Sequence, residues 1–208
     1  VVVVDVVAGK PVGEIPNTNG VHGIALAPEL NRGFTSNGRD ATATIFDLQT
    51  LAVLGTVKTG GNPDAILYEP VTKQVFVFNR TRAAAEASAT VIDAVKGQVI
   101  KTLMLGGRPE FAATDGKGTV FVNLDDKSEI AMINAKELTI NARWPLAPGA
   151  GPSGLAMDLK KRRLYSVCEN KKMIVMNADN GKIIAEVPIG TGTDGAAFDP
   201  GLGFAFSS

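Results

Sequence analysis

The chain repeats itself about every 43 residues, and that period excludes most architectures at once. A β-branched or apolar run closing on Asp or Asn appears five times, as VVVVD at Asp5, TIFD at Asp47, TVID at Asp93, AMIN at Asn134 and IVMN at Asn177. The intervals are 42, 46, 41 and 43 residues. Turn residues and a second apolar run follow each marker, as in VLGTVKTG, QVIKTLMLGG and KIIAEVPIGTG. A short strand rich in small residues comes next (GIALAP, DAILYEP, EFAATD, GLAMDL, GAAFDP), then a fourth strand (RGFTSN, QVFVFN, TVFVNL, LYSVCEN, GFAFSS).

Four short strands per unit, separated by Gly, Pro, Asn and Asp, predict an all-β chain built of four-stranded antiparallel propeller blades. One such sheet cannot bury its apolar faces alone, whereas stacked blades bury each other's. A parallel β-helix needs a shorter repeat, and helical or leucine-rich solenoids need a helical periodicity that is absent. With strands a to d running outward from the axis, strands c and d of a first blade occupy 1–16. Full blades follow at about 21–58, 63–105, 109–147 and 152–189, and strands a and b of a last blade at 193–208. Thr81–Ala89 has helix-forming composition but sits where the 46-residue unit carries its extra length, so an extended loop with at most one helical turn is expected.

Composition excludes several roles. Twenty-one basic and 21 acidic residues cancel, so the electrostatic footprint of a nucleic-acid binder is missing. No apolar run approaches the roughly 20 residues needed to span a bilayer, and no charged segment, apolar stretch and cleavage site open the sequence as a signal peptide would. Cys168, the single cysteine, precludes an internal disulfide and reads as a buried, inert thiol. No nucleophile elbow, phosphate loop or dinucleotide fingerprint is present, and GTGTDG lacks the following helix a phosphate site uses.

The fourth strands carry a resemblance. FTSN (Phe34–Asn37), FVFN (Phe76–Asn79), VFVN (Val120–Asn123) and, more loosely, YSVC (Tyr165–Cys168) resemble the signature tetrapeptide of the YVTN-repeat β-propeller family, the YncE-like proteins. TVIDAVKGQVIKTLMLGGRPEFAAT and IVMNADNGKIIAEVPIGTGTDGAAFDP extend the likeness across the chain. The resemblance implies a seven-bladed propeller in a bacterial, periplasmic or secreted setting, with single-stranded DNA binding known among relatives. The chain supplies about five blade equivalents, so an open piece of a longer propeller is expected. The competing expectation is a closed five-bladed ring in which the two ends share one sheet.

Aligned repeats put the only histidine in company. His22, Asp64, Glu110, Ser153 and Asp194 occupy one equivalent position at the start of the inner strand, where a propeller has the mouth of its central channel. Carboxylates gathered there repel one another unless a cation, a protonated imidazole or raised pKa values offset them. His22, Asp64, Glu110 and Asp194 are therefore candidate ligands for a divalent cation, with calcium, manganese, iron and zinc all compatible. Some propellers that hydrolyse sugar lactones hold a metal at this place, which makes a metal-dependent lactonase-like hydrolase the enzymatic alternative.

The plainer expectation is a polar channel lining without catalysis: a binding or scaffold propeller that recognises a small ligand or protein partner. Nucleic acid is disfavoured by the charge balance. A Ser153–His22 pair across the channel is the only nucleophile and base the ring offers. The recurring Asp and Asn markers read as Asx-turn caps, Lys160–Arg163 as a solvated a–b turn, and Arg108 and Arg143 as solvated rim charges. Trp144 is expected to pack between blades, and Asn79–Arg80–Thr81 matches a glycosylation sequon of a kind frequent by chance.

Overall fold

A computed structural model describes Val1–Ser208. It holds 20 strands, three single-turn 3₁₀ segments and no α-helix. β1 (Val2–Asp5) and β2 (Lys10–Glu14) form a two-stranded sheet. Four complete blades follow, each antiparallel and ordered as the chain runs. The first contains β3 (Val21–Ala27), β4 (Arg32–Asn37), β5 (Thr42–Asp47) and β6 (Val53–Lys58). The second contains β7 (Pro63–Glu69), β8 (Gln74–Asn79), β9 (Ser88–Asp93) and β10 (Gln98–Met104). The third contains β11 (Pro109–Thr114), β12 (Thr119–Leu124), β13 (Glu129–Asn134) and β14 (Thr139–Pro145). The fourth contains β15 (Pro152–Asp158), β16 (Arg163–Cys168), β17 (Lys172–Asn177) and β18 (Ile183–Pro188). β19 (Ala196–Asp199) and β20 (Phe204–Ser207) close the chain as a second two-stranded sheet.

The two half blades are separate sheets, so the arc is open, as expected, and the competing closed five-bladed ring does not form. The inner strands β3, β7, β11, β15 and β19 touch in succession around the channel. Strand alternation explains how a blade serves two neighbours. In β8, Val75 and Val77 belong to the core shared with the first blade, whereas Phe76 and Phe78 belong to the core shared with the third. In β12, Val120 and Val122 face the second blade and Phe121 faces the fourth. Successive side chains point to opposite faces, and both faces are covered, so these middle strands read as unbroken apolar runs. Trp144 stacks on Phe121 at 5.9 Å, against the core between the third and fourth blades.

The markers that set the period are turn caps. A side-chain oxygen of Asp5, Asp47, Asp93, Asn134 and Asn177 accepts the backbone N–H groups two and three residues ahead, at 2.8–3.2 Å in every case. Each thereby supplies the acceptor that a tight c–d turn leaves out. The same device at Asp158 and Asp199 closes a–b turns. Between Arg80 and Ser88 the loop contains one 3₁₀ turn, Ala84–Glu86.

Strand register corrects one motif match. Asn37 pairs with Val21, Asn79 with Pro63 and Cys168 with Pro152, but in the third blade Leu124 pairs with Pro109. The a–b connection of that blade is one residue shorter, so Asn123 stands where the other blades have Ser36, Phe78 and Val167. VFVN thus shares letters with FTSN and FVFN but sits one residue out of step. Asn123 is fully buried and clips blades together: its Nδ2 donates to the carbonyls of Ser153 and Gly154, and its Oδ1 accepts from Ser166. Ser36 does the same for the first blade, donating to the Asp64 carbonyl.

Asn79 is also fully buried, with Nδ2 bound to Ser88 and Thr90, so the sequon offers no exposed acceptor. Its Oδ1 has no donor. In the first blade Thr35 supplies that bond to Asn37, and Val77 replaces Thr35 in the second. Cys168 is fully buried, and burial pushes its thiol up to about 11. The native chain is expected to leave a chromogenic disulfide reagent unreacted at pH 7.5 and to titrate one thiol in urea; rapid native labelling would contradict this placement.

Candidate functional site

Each inner strand except β19 opens with a β-bulge, and His22, Asp64, Glu110 and Ser153 all fall inside one. A bulge leaves its extra residue unpaired and re-aims the side chain, which frees these four from the ladder. Asp194 stands two residues before β19.

A second set of positions, missed in the repeat alignment, surrounds the first. Gly38, Arg80, Asp125 and Glu169 each follow strand b by one residue. Their backbone N–H groups donate to the carbonyls of Gly20, Asn62, Arg108 and Gly151 at 2.8, 2.9, 2.9 and 3.0 Å. These bonds hold the b–c loop of every blade against its d–a loop, so the second, third and fourth blades each set two side chains at the mouth, while the first sets His22 beside Gly38. The signal was available: each second-set residue lies 15 or 16 positions after its inner-strand partner.

The two sets interlock. The Arg80 guanidinium bridges Glu110 and Asp125, with Nη2 at 2.7 Å from the Asp125 carboxylate. Arg108 reaches the same Asp125 at 3.0 Å, so it is an engaged charge and not a free rim residue. Arg143 likewise donates to the Leu105 carbonyl and pairs with Glu129 at 3.6 Å. Glu110 is only 13% exposed. Burial pushes its carboxyl up to about 7, against the pull of Arg80, while Asp64 and Asp125 push the same way. Ser153 Oγ donates to Asp194 Oδ1 at 2.6 Å, away from any histidine.

His22 stands at the far end of the arc, its side chain half exposed and Nδ1 3.4 Å from Asp64 Oδ1. Gly38 makes room for the ring, since a Cβ there would come within 2.9 Å of it.

The structure therefore brings the five aligned residues to one face but divides them into His22 with Asp64, Glu110 with Arg80, and Ser153 with Asp194. His22, Asp64, Glu110 and Asp194 do not come together as a ligand set, and nowhere do three His, Cys, Asp or Glu side chains converge as metal ligands. The five positions come from five successive inner strands, and the Arg80 guanidinium already pairs with Glu110.

Between the second blade and β19 the mouth deepens into a cleft of about 290 Å³. Arg80, Glu110, Asp125, Ser153, Glu169, Thr193 and Asp194 line it, and Pro152 is the nearest thing to an apolar wall.

No family model matches the sequence, and no curated protein matches it. Among solved structures, the chain is similar to Kuenenia stuttgartiensis hydrazine synthase, with a TM-score of 0.58 and 16% identity over 98% of this chain and 84% of that one. It is also similar to the dihydro-heme d1 dehydrogenase NirN in complex with DHE, with a TM-score of 0.74 and 18% identity. That likeness covers 92% of this chain but 42% of NirN, so the chain spans less than half of that protein's length. Both are propeller-type folds. At such identities the fold alone is shared, and this chain has the β-propeller fold as an open arc.

Proposed function

We propose that this chain is a binding propeller without chemistry of its own, whose channel mouth takes a small hydrophilic ligand. The observation that carries the reading is the cleft of about 290 Å³, walled by polar side chains of which Arg80, Glu110 and Asp125, and Ser153 and Asp194, hold one another in place. Arg80 is fixed by two carboxylates and Ser153 by Asp194, so donors and acceptors are set before a ligand arrives. Pre-organisation of this kind lowers the ordering cost of binding. The same engagement argues for binding over catalysis: the one serine of the ring donates to a carboxylate, and the one histidine is on another blade. The resemblance to the YVTN-repeat proteins favours a bacterial, periplasmic or secreted setting for such a module, and a polar loop of a protein partner is the second occupant this cleft suits.

A thermal-shift screen of small amines, polyols and hydroxy acids tests the reading. A compound that stabilises the chain should bind with at least tenfold weaker Kd, by calorimetry, to Ser153→Ala/Asp194→Ala. Equal binding by the double variant overturns the site. Lactone hydrolysis that requires added calcium, manganese, iron or zinc, and that disappears in His22→Ala/Asp64→Ala, overturns the non-catalytic reading.

A further inference from the structure

The basic run Lys160–Arg163 spans the a–b turn of the fourth blade into the first residue of β16, on the opposite face from the channel mouth, and its members have different fates. Arg162 is spent on structure: Nε is 2.7 Å from Asp179 and Nη1 is 3.1 Å from Asp115 of the preceding blade, with only 26% of the side chain exposed. That corrects the expectation of a wholly solvated turn. Lys160 and Lys161 are exposed and take part in no ion pair.

Both lysines border a cleft of about 570 Å³ between the fourth blade and the β19–β20 pair. Its apolar walls are Met157, Leu159, Phe198 and Leu202, and Leu159 and Leu202 are more than half exposed. Asp158 also lines the cleft, but it is 4% exposed and its Oδ1 already accepts the N–H groups of Lys160 and Lys161 at 2.9 and 3.0 Å. The volume is that of an ordinary small-molecule pocket. Two unpaired ammonium groups beside an apolar wall complement a ligand with an anionic head and a hydrocarbon body. An inorganic anion would meet only exposed lysines, which bind weakly in water. A neutral hydrocarbon would leave the two charges unanswered.

The geometry points to a second binding site, for a small amphipathic organic anion, with its head on Lys160 and Lys161 and its body against Leu159, Phe198 and Leu202. It shares no residue with the channel-mouth cleft and stands or falls apart from it.

Calorimetric titration of the full chain with octanoate, 1-octanol and inorganic phosphate tests it. Octanoate should saturate one site per chain and bind at least tenfold more tightly than octanol, and phosphate should give no saturable heat. Lys160→Gln/Lys161→Gln, which changes only exposed side chains, should weaken octanoate at least tenfold, leave octanol unchanged and melt as the wild type does. Octanoate that fails to saturate, that binds no better than octanol, or that binds the double variant equally overturns the proposal. So does binding to phosphatidylglycerol vesicles without binding of monomeric octanoate, since that result assigns the lysines to a membrane surface.

Discussion

Gly154→Ala is expected to cost about 3 kcal/mol of stability, although it adds a single methyl group. A Cβ at Gly154 would lie 2.5 Å from the Ala196 nitrogen, 2.6 Å from the Gly195 carbonyl carbon and 2.7 Å from the Asp194 oxygen. All three are backbone atoms, so no side chain can rotate away and β15 must part from the segment before β19. The parting would break the Ser153 bonds to Asp194 and strain the Asn123 clip to the Ser153 and Gly154 carbonyls. Urea denaturation gives the measurement, with Gly190→Ala as the comparison. No atom lies within 4 Å of a Cβ at Gly190, so that variant should stay within about 0.5 kcal/mol of the wild type. Equal midpoints for the two variants would mean that the last strand pair does not bear on β15 as described.

The second large effect is a pH dependence centred on Glu110. Its carboxyl is raised by burial from 4.5 to about 7. Between those values the unfolded chain has released the proton that the folded chain keeps. The contribution to stability is therefore complete below about pH 4.5 and is lost as pH rises through 7. Over that window the loss is on the order of 3 kcal/mol. Glu110→Gln removes the titration while keeping the shape, so the stability of the wild type relative to this variant should fall by about that amount between pH 4 and pH 8. A constant difference across that range would show that Arg80 keeps Glu110 ionised throughout. The same titration should govern the mouth cleft, because deprotonation adds a charge to a wall that already holds Asp125, Glu169 and Asp194.

The repeat, the strand content and the blade architecture were legible because they are written in local chemistry. An Asx cap recurs wherever a blade turns, and a strand covered on both faces reads as an apolar run. The inner-strand set was legible for the same reason, since four of its members stand 17 residues after a cap and Ser153, behind a two-residue insertion, stands 19 after Asn134.

The interlocking second set was not. Arg80 follows a buried Asn inside an apparent sequon, which drew attention to glycosylation and away from the channel. In the third blade the shorter turn moved Asn123 one place, so aligning by the signature letters hid the equivalence of Arg80, Asp125 and Glu169. The pairing of Arg80 with Glu110 reaches across 30 residues and two blades, a separation at which no periodic pattern specifies a partner. Whether the two ends meet in one sheet depends on accumulated curvature, which no single unit encodes.

The alternation in β8, where Val75 and Val77 face one neighbour and Phe76 and Phe78 the other, bears on how such a chain can lengthen. One repeat unit carries both halves of an interface, a face that receives and a face that is received. A tandem copy of that unit inserted beside its parent would meet a matching surface on each side, with no new contact to invent. Growth by duplication is thus compatible with folding once neighbouring copies stack, since each added unit covers a face that a single blade leaves open.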